Sequence, residues 1–275
     1  MSNKNAGLPT FVPSISDDIR AAIEVELKQI ETDHNVKIIF AVESGSRAWG
    51  FPSPDSDYDV RFVYAHQLDW YLSIEPGRDV IERPISDELD IGGWDIKKAL
   101  GLLLKPNPVM FEWLSSPIRY SWMEAECDEL IAFSKKPVHS TACLYHYLNL
   151  GQRQFNLHMG NGKKIRLKTY FYVLRPALAI RWMRLRPNEI PPMNIQALIQ
   201  GLDIPPSTVD IIGDLIERKA KLNETEDFDR ILELDQLIQA EFDWAKDTEK
   251  EKSKNIIYQM IANRLFRDIV RSFDE

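Results

Sequence analysis

Apolar positions in the first part of the chain follow the spacings of helices and strands. A helix is predicted from Ser16, its N-cap, to about His34, because apolar residues recur there every three or four positions. The run 37–43 (KIIFAVE) is continuously apolar from Ile38 to Val42 and predicts a buried strand, and the alternating run 58–64 (YDVRFVY) predicts a second. The apolar residues of the helix are Ile19, Ile23, Leu27 and Ile30.

Strand signals continue for a short distance and then stop. Weaker strands are predicted at 80–85 and 88–92, and Asp95 is expected to cap a helix over 96–104. From about residue 120 onward only helical spacing is found. We therefore predict an α+β protein, with an N-terminal sheet and its flanking helices followed by an all-helical C-terminal domain.

This change divides the chain into three predicted parts. Residues 1–13 hold two prolines and little apolar periodicity, and are expected to be a mobile lead. The sheet domain is predicted over 14–120 and the helical domain over 121–275.

Composition narrows the class of protein. With 44% hydrophobic and 28% charged residues the chain matches ordinary globular proteins. No apolar run approaches the ~18 residues of a membrane span, and the N-terminus lacks the apolar core of a signal peptide. Only Cys127 and Cys143 are present, which suits a reducing compartment. We expect a cytoplasmic protein without a membrane partner.

Charge is distributed very unevenly. The net charge of −8 argues against a general nucleic-acid binder. The 59 residues between Glu129 and Glu189, however, contain eleven Lys or Arg and no acid, whereas the other 216 residues carry −19. This basic segment, 135–186, indicates an anionic ligand held at one place.

The strongest chemical signal lies between the first two predicted strands. The segment GSRAWG at 45–50 is followed by SDYD at 56–59. Side chains alternate along a strand, so Asp57 and Asp59 project from one side with Cα atoms ~6.5–7 Å apart. Two carboxylates so placed can bracket a pair of hard cations ~3.5–4 Å apart, as in two-metal nucleotidyl transfer.

The residues before this pair suit phosphate. Gly45 allows close approach of the backbone to a ligand, and the amides around Ser46 can donate to phosphate oxygens. Arg47 adds a guanidinium. Glu43 either contacts the ligand or fixes the loop. A nucleoside triphosphate with Mg²⁺ is therefore a candidate ligand.

Three separated blocks resemble a known family. They are ESGSRAWGFPSPDSDYDVRFVY (43–64), DIGGWDIKKALGLLLKPNP (90–108) and KTYFYVLRPALAIRW (168–182). The Gly-Ser and Asp-x-Asp motifs resemble the DNA polymerase β-like nucleotidyltransferase superfamily. The blocks together are similar to its bacterial and phage branch, the RNA repair pathway DNA polymerase β family.

The resemblance implies a fold, a cofactor and a reaction. The sheet would be the mixed sheet of nucleotidyltransferases, with Mg²⁺, two ions being expected, held by Asp57 and Asp59. A nucleoside monophosphate would pass from a nucleoside triphosphate to a hydroxyl. A third carboxylate usually completes such a site. Asp90 is favoured because it lies within a predicted strand, and Asp95, its rival, sits where a helix cap is expected.

The predicted helix over 165–185 carries a second candidate surface. Lys168, Tyr172 and Arg175 follow one stripe, which suits phosphates and a stacked base. The alternative is a solvated helix face. We favour Lys168 and Arg175 as ligand-binding residues because of the basic segment and the resemblance.

Three functions from different classes remain open. The first is nucleotidyl transfer to RNA, in end repair or processing, which the basic segment favours. The second is transfer to a protein or small-molecule hydroxyl, and the third is a nucleotide- or RNA-binding module without turnover. The sequence leaves open the nucleotide, the use of a template and the oligomeric state, and no obligate protein partner is indicated.

Overall fold

The computed structural model describes residues 7–13, 15–75, 77–85, 88–105, 107–135, 141–158, 164–187, 189–221, 227–249 and 256–273. Six residues of the predicted mobile lead, and Lys136 and Lys163 of the basic segment, lie outside these ranges. Within the described ranges, no helix has the length and apolar character needed to cross a membrane.

The element order combines helices and short strands. The helices are α1 (Asp17–His34), α2 (Gly45–Trp49), α3 (Leu68–Tyr71), α4 (Ile96–Leu104), α5 (Pro108–Leu114), α6 (Glu124–Ser134), α7 (Thr141–His158), α8 (Leu167–Leu185), α9 (Ile195–Gln200), α10 (Pro206–Lys219), α11 (Leu232–Asp247) and α12 (Ile256–Arg271). The strands are β1 (Val36–Glu43), β2 (Tyr58–His66), β3 (Val80–Glu82), β4 (Leu89–Asp95), β5 (Arg119–Trp122), β6 (Lys164–Arg166) and β7 (Asp227–Asp229).

The chain forms two compact units, neither of which is a continuous stretch. The sheet unit contains Pro13–Gly45, Asp57–Val138 and Lys252–Glu275. The helical unit contains Met1–Val12, Ser46–Ser56 and His139–Glu251. The sequence pattern predicted one division near residue 120, whereas in the structure the loop 46–56 groups with later helices and the C-terminal helix α12 groups with the sheet.

The sheet unit is built on a five-stranded mixed sheet with the order β3-β4-β2-β1-β5. Strands β2 and β4 are parallel, and the other neighbours are antiparallel. Helix α1 packs on β1 and β5, and α4, α6 and α12 pack on β1 or β2. The predicted α+β class with a mixed sheet and flanking helices is therefore confirmed.

The hydrophobic core beside α1 explains the alternation in β2. Val60, Phe62 and Tyr64 are buried in one cluster with the apolar stripe of α1. Side chains of a strand alternate between faces, so residues 59 and 61 lie on the other face of the sheet. This parity decides which side of the sheet receives the polar residues of β2.

The helical unit contains helices α7 to α11 and one short ribbon. Strands β6 and β7 form this two-stranded antiparallel ribbon, which helical spacing did not predict because each strand has only three residues. Helix α8 is buried on most of its surface, including Tyr170, Leu174 and Leu178. A helix buried all round forms the centre of its unit.

His66, at the end of β2, is a buried histidine with an unusual environment. Its ring stacks on Trp70, with centroids 3.9 Å apart. Burial, and secondarily the charge of His34, lowers the pKa of His66 to about 4. His66 is consequently neutral in the folded protein near pH 7.

This histidine should make stability pH-dependent. Between pH 6.5 and about 4 an unfolded histidine binds a proton that folded His66 does not bind, so the free energy of unfolding falls as the pH falls through this window. We expect a loss on the order of 1–2 kcal/mol relative to His66→Gln, measured by urea unfolding of both proteins at several pH values. Parallel pH profiles for the two proteins would contradict this prediction.

Candidate active site

Two of the predicted carboxylates are neighbours across the sheet. Strands β2 and β4 run parallel with Asp59 opposite Asp90, and the next pair is Val60 opposite Ile91. Since Val60 and Ile91 belong to the core on the α1 side, Asp59 and Asp90 share the opposite face. Both side chains are partly exposed.

Arg61 lies between these two carboxylates. Its Nη2 is 3.0 Å from Asp59 Oδ1 and 2.6 Å from Asp90 Oδ2, and its Nη1 donates to the Asp90 carbonyl at 2.8 Å. One guanidinium therefore compensates two negative charges that would otherwise repel each other.

Asp57 directly precedes β2, two positions before Asp59, and is exposed. It lies just outside the strand, and within the described part of the chain it does not converge with Asp59 and Asp90 into a three-carboxylate group. The structure thus brings Asp59 and Asp90 into one ion-paired cluster, which Asp57 adjoins along the chain.

The donor set of this cluster suits a hard cation. Carboxylate oxygens are the ligands that Mg²⁺ prefers, and the position of Arg61 shows that positive charge is accepted between Asp59 and Asp90. Among the described residues no three Asp, Glu, His or Cys side chains converge as a ready-made metal site. A cation shared by Asp59 and Asp90 would require Arg61 to release at least one of them.

The carboxylate of Asp59 occupies the space that a side chain at position 45 would need. The φ of Gly45 is +57°, in the left-handed region that favours glycine. A Cβ built on Gly45 would lie 1.8 Å from Asp59 Oδ2, so no other residue fits without moving the carboxylate. The neighbouring Ser44 N–H donates to the Asp59 carbonyl at 2.8 Å.

Glu43 fixes the backbone that carries Asp59. It is fully buried, and its Oε1 accepts the Asp59 N–H at 3.0 Å while its Oε2 accepts the Tyr120 hydroxyl at 2.6 Å. The Glu43 carbonyl accepts the Ser116 hydroxyl at 2.7 Å. Of the two sequence-based alternatives for Glu43, these contacts are those of a residue that holds the chain in place.

Asp95 is used as a helix cap. Its Oδ1 accepts the Lys97 N–H at 2.7 Å at the start of α4, and its Oδ2 accepts the Tyr71 hydroxyl at 2.7 Å. Burial raises the pKa of Asp95, although both hydrogen bonds lower it. It pairs with Tyr64 at the far end of β4, five residues from Asp90. The expected cap is confirmed, and Asp90 is the member of this strand that lies beside Asp59.

Side chains from the loop 46–56 and from the rest of the helical unit hold this loop in place by hydrogen bonds. Arg47 Nη2 donates to the Ser56 carbonyl at 2.6 Å, so its guanidinium braces the loop. Gly50 has a φ of +89°, and its carbonyl accepts from Gln196 Nε2 at 2.7 Å. Ser46 is 6% exposed and hydrogen-bonded to Ser56.

The predicted stripe on α8 forms a row of aromatic and basic side chains within the helical unit. The Arg175 guanidinium lies 4.8 Å from the Trp49 ring centroid, and its Nε donates to the Met193 carbonyl at 3.0 Å. Tyr172 meets Trp49 edge-on at 5.3 Å, and Lys168 Nζ lies 5.9 Å from the Tyr172 ring. Lys168 is partly exposed, whereas Arg175 is 3% exposed.

Part of the charge in the basic segment has internal partners. Arg181 and Arg184 both contact the buried Glu241, at 2.8 and 2.7 Å. Lys164 and Arg166, which lie two positions apart on β6 and so share a face, are exposed. The positive surface is consequently smaller than the residue count of the segment suggests.

Sequence reasoning missed several residues of these clusters. Arg61 had a signal, because it continues the alternation of Asp57 and Asp59. Lys219 and Gln196, which contact the loop 46–56, had none, since they are separated from it by well over one hundred residues.

The fold and the site fit the nucleotidyltransferase class that the motifs indicated. The sheet is mixed, a glycine turn follows its first strand, and the parallel strands β2 and β4 each carry an aspartate. The model of the RNA repair pathway DNA polymerase beta family matches residues 19–268, and the chain belongs to this family. The resemblance found in the sequence is confirmed.

The chain is similar to a protein of Bacillus subtilis and to a solved structure from Exiguobacterium sibiricum. An uncharacterized protein, YcgL, of Bacillus subtilis (strain 168) is 44% identical over 226 residues, which cover 82% of this chain and 86% of the relative. A crystal structure of a nucleotidyltransferase-like protein from Exiguobacterium sibiricum 255-15 is 14% identical, covering 92% of this chain and 81% of the other. The TM-score of the two structures is 0.29.

The contact between Gly45 and Asp59 can be tested by adding one methyl group. Gly45→Ala places a Cβ against the carboxylate in a left-handed backbone, and we expect it to lower the free energy of unfolding by at least ~2 kcal/mol. Gly101→Ala in α4 is the matched control, because nothing lies within 4 Å of its built Cβ and alanine favours helices by ~1 kcal/mol. Urea unfolding measures both variants, and equal stability of Gly45→Ala and wild type would contradict the assignment.

Proposed function

We propose that the protein is a Mg²⁺-dependent nucleotidyltransferase that transfers a nucleoside monophosphate from a nucleoside triphosphate to a hydroxyl of RNA. The observation that carries this proposal is the cluster of Asp59 and Asp90 on adjacent parallel strands, with Asp57 two positions from Asp59. Membership of the RNA repair pathway DNA polymerase beta family supports it.

In this proposal each predicted residue has a role. Asp57, Asp59 and Asp90 hold Mg²⁺, which when bound would neutralise the phosphates and the charge that develops on the leaving group. Arg61 balances the carboxylates before the cation is bound.

The phosphate-binding residues in the proposal come from the loop and from α8. Gly45 and Ser46 offer backbone and hydroxyl donors to the triphosphate, and Arg47 stabilises their loop through the Ser56 carbonyl. Lys168 and Arg175 remain proposed nucleotide-binding residues. Lys168 has the exposed surface for direct contact, and Arg175 is placed to act through the Trp49 ring on which it lies.

The proposed reaction is a single group transfer. The acceptor hydroxyl oxygen forms a bond to the α-phosphorus, the bond from that phosphorus to the pyrophosphate oxygen breaks, and the hydroxyl proton is released. Pyrophosphate and the extended acceptor are the products.

RNA is proposed as the acceptor because of charge and family. Lys164, Arg166 and Lys168 form a basic stretch at the start of α8, with Tyr172 one helical turn further on. Phosphate contacts dominate nucleic-acid affinity, and aromatic side chains stack on unpaired bases.

The decisive experiment identifies the molecule that receives a labelled nucleoside monophosphate. The protein and Mg²⁺ are incubated with each α-labelled nucleoside triphosphate in the presence of tRNA, nicked RNA or a protein extract. Label in RNA supports the proposal. Label in protein or a small molecule would move the acceptor to those classes, and no transfer with any triphosphate would overturn the enzymatic proposal.

The proposed metal ligands should be essential for nucleotidyl transfer and dispensable for folding. Asp57→Asn, Asp59→Asn and Asp90→Asn are each expected to lower the transfer rate by at least ~10³, because loss of a metal ligand removes several kcal/mol of transition-state stabilisation. Thermal unfolding should show folded proteins, since these side chains are exposed or partly exposed.

Asp95→Asn is the matched control for these variants. It keeps an oxygen that can cap α4 but loses the second acceptor, which binds the Tyr71 hydroxyl, so stability should fall by ~1 kcal/mol while the transfer rate stays near that of wild type. Near wild-type transfer by Asp57→Asn or Asp59→Asn would refute the metal assignment, and loss of transfer in Asp95→Asn alone would move the third ligand to Asp95.

The basic stretch should determine how RNA binding depends on salt. Changing Lys164, Arg166 and Lys168 together to Ala should flatten the log-log salt slope of RNA affinity by about 2, because each lost phosphate contact contributes ~0.7–0.9. Fluorescence anisotropy with a labelled single-stranded RNA measures the slope between ~50 and ~200 mM salt.

A triple variant of equal charge controls for this prediction. Lys28, Lys221 and Lys246 are exposed lysines outside the basic segment, and their joint change to Ala should leave the slope nearly unchanged. Equal effects of the two triple variants would show that net charge, and not the stretch at α8, sets the salt dependence.

A further inference from the structure

Lys219 is a buried lysine of the helical unit that the proposed function does not yet use. It is the last residue of α10 and is 2% exposed. Its Nζ donates to Ser53 Oγ at 3.2 Å and lies 5.8 Å from the Phe51 ring centroid. Burying an ammonium group costs several kcal/mol unless its partners compensate, and lysine is among the residues least often buried.

From Lys219 a chain of hydroxyl groups leads to Ser46. Ser53 Oγ is 2.8 Å from Ser56 Oγ, and Ser56 Oγ is 3.0 Å from Ser46 Oγ. Ser56 Oγ also accepts the Ser53 N–H at 2.9 Å. The three serines are 3–6% exposed, so the chain is shielded from water. It joins a buried cation to the serine proposed to contact phosphate.

The hydrogen bonds that link the three serine hydroxyls can run in either of two directions. In the structure the Ser46 hydroxyl donates to Ser56, whose oxygen also accepts the Ser53 N–H, so the Ser56 hydroxyl is left to donate to Ser53. Ser53 Oγ then accepts from both Ser56 and Lys219. In the reverse direction Ser53 donates to Ser56 and Ser56 donates to Ser46, and the Ser46 hydrogen is available to an outside acceptor.

The ammonium group of Lys219 favours the reverse direction. It can only donate, and its charge is repelled by hydroxyl hydrogens that point towards Ser53. A phosphate oxygen at Ser46 would accept the hydrogen released at the other end. Both states keep every link of the chain, so the change needs only hydroxyl rotation.

We propose that Lys219 is a positioning residue that, through Ser53 and Ser56, turns the Ser46 hydroxyl towards a phosphate oxygen of the nucleoside triphosphate. The inference rests on the proposed function, because it takes Ser46 as a phosphate donor. It identifies a residue for triphosphate binding that no motif indicated.

A purely structural role for Lys219 makes a different prediction. A lysine that only fills space can be replaced by methionine, which has a similar length, and such replacements of buried charges are often neutral or stabilising. Lys219→Met would then leave nucleotide affinity unchanged. A positioning role instead predicts lost affinity that depends on the phosphates of the ligand.

The test compares ligands with and without phosphates on folded variants. We expect Lys219→Met to weaken binding of a nucleoside triphosphate, and of inorganic tripolyphosphate, by at least ~10-fold in isothermal titration calorimetry, with no change for the nucleoside alone. Ser53→Ala keeps the cation and cuts the chain, and should weaken triphosphate binding by a smaller factor. Lys221→Met removes an exposed lysine two positions away and serves as the charge-matched control.

The outcomes separate this inference from the proposed function. If Lys219→Met does not fold, Ser53→Ala alone decides, because it removes only one hydroxyl. Wild-type triphosphate affinity in the folded variants, or a wild-type protein that binds neither triphosphate nor tripolyphosphate, would overturn the role of Lys219. Nucleotidyl transfer is judged separately, by the label experiment and the aspartate variants, and binding is measured here without turnover.

Discussion

The repulsion between two carboxylates on adjacent parallel strands is the constraint around which the candidate site is arranged. The register of β2 and β4 sets Asp59 opposite Asp90, and Arg61 compensates both through one nitrogen. Gly45 leaves room for the Asp59 carboxylate, and Glu43 holds its backbone N–H. Such a cluster keeps a high local density of negative charge in a folded protein, as a cation-dependent phosphoryl site needs.

The loop 46–56 illustrates how a short segment is held by distant parts of its unit. Gln196 binds the Gly50 carbonyl, Arg175 lies on Trp49, and Lys219 donates to Ser53. Three helices thus contact this segment of eleven residues, of which the first four belong to the short helix α2. A loop fixed in this way loses little further entropy when a ligand binds, which favours affinity.

The basic segment 135–186 presents less positive charge on the surface than its sequence suggests. The acid-free basic segment suggests a wide positive face, yet Arg181 and Arg184 share the buried Glu241 and Arg175 is enclosed. Lys135, Arg153, Lys164 and Arg166 are exposed and Lys168 is partly exposed. Lys164 and Arg166 also lie opposite Asp229 and Asp227 in the register of the ribbon. Glu241, more than fifty residues from these arginines in sequence, became their partner only through the packing of α11 on α8.

The sequence by itself determined the family, the α+β class and the features that depend on near neighbours. The spacing of Gly45-Ser46 and Asp57-x-Asp59, the periodicity of α1 and the cap at Asp95 involve residues within one or two turns or strands of each other. Tertiary structure decided the pairing of Asp59 with Asp90, the bridge by Arg61 and the burial of Lys219. Those contacts depend on strand order and helix packing, which bring together residues separated by 29 to 166 positions. Local patterning carries no record of such distant partners.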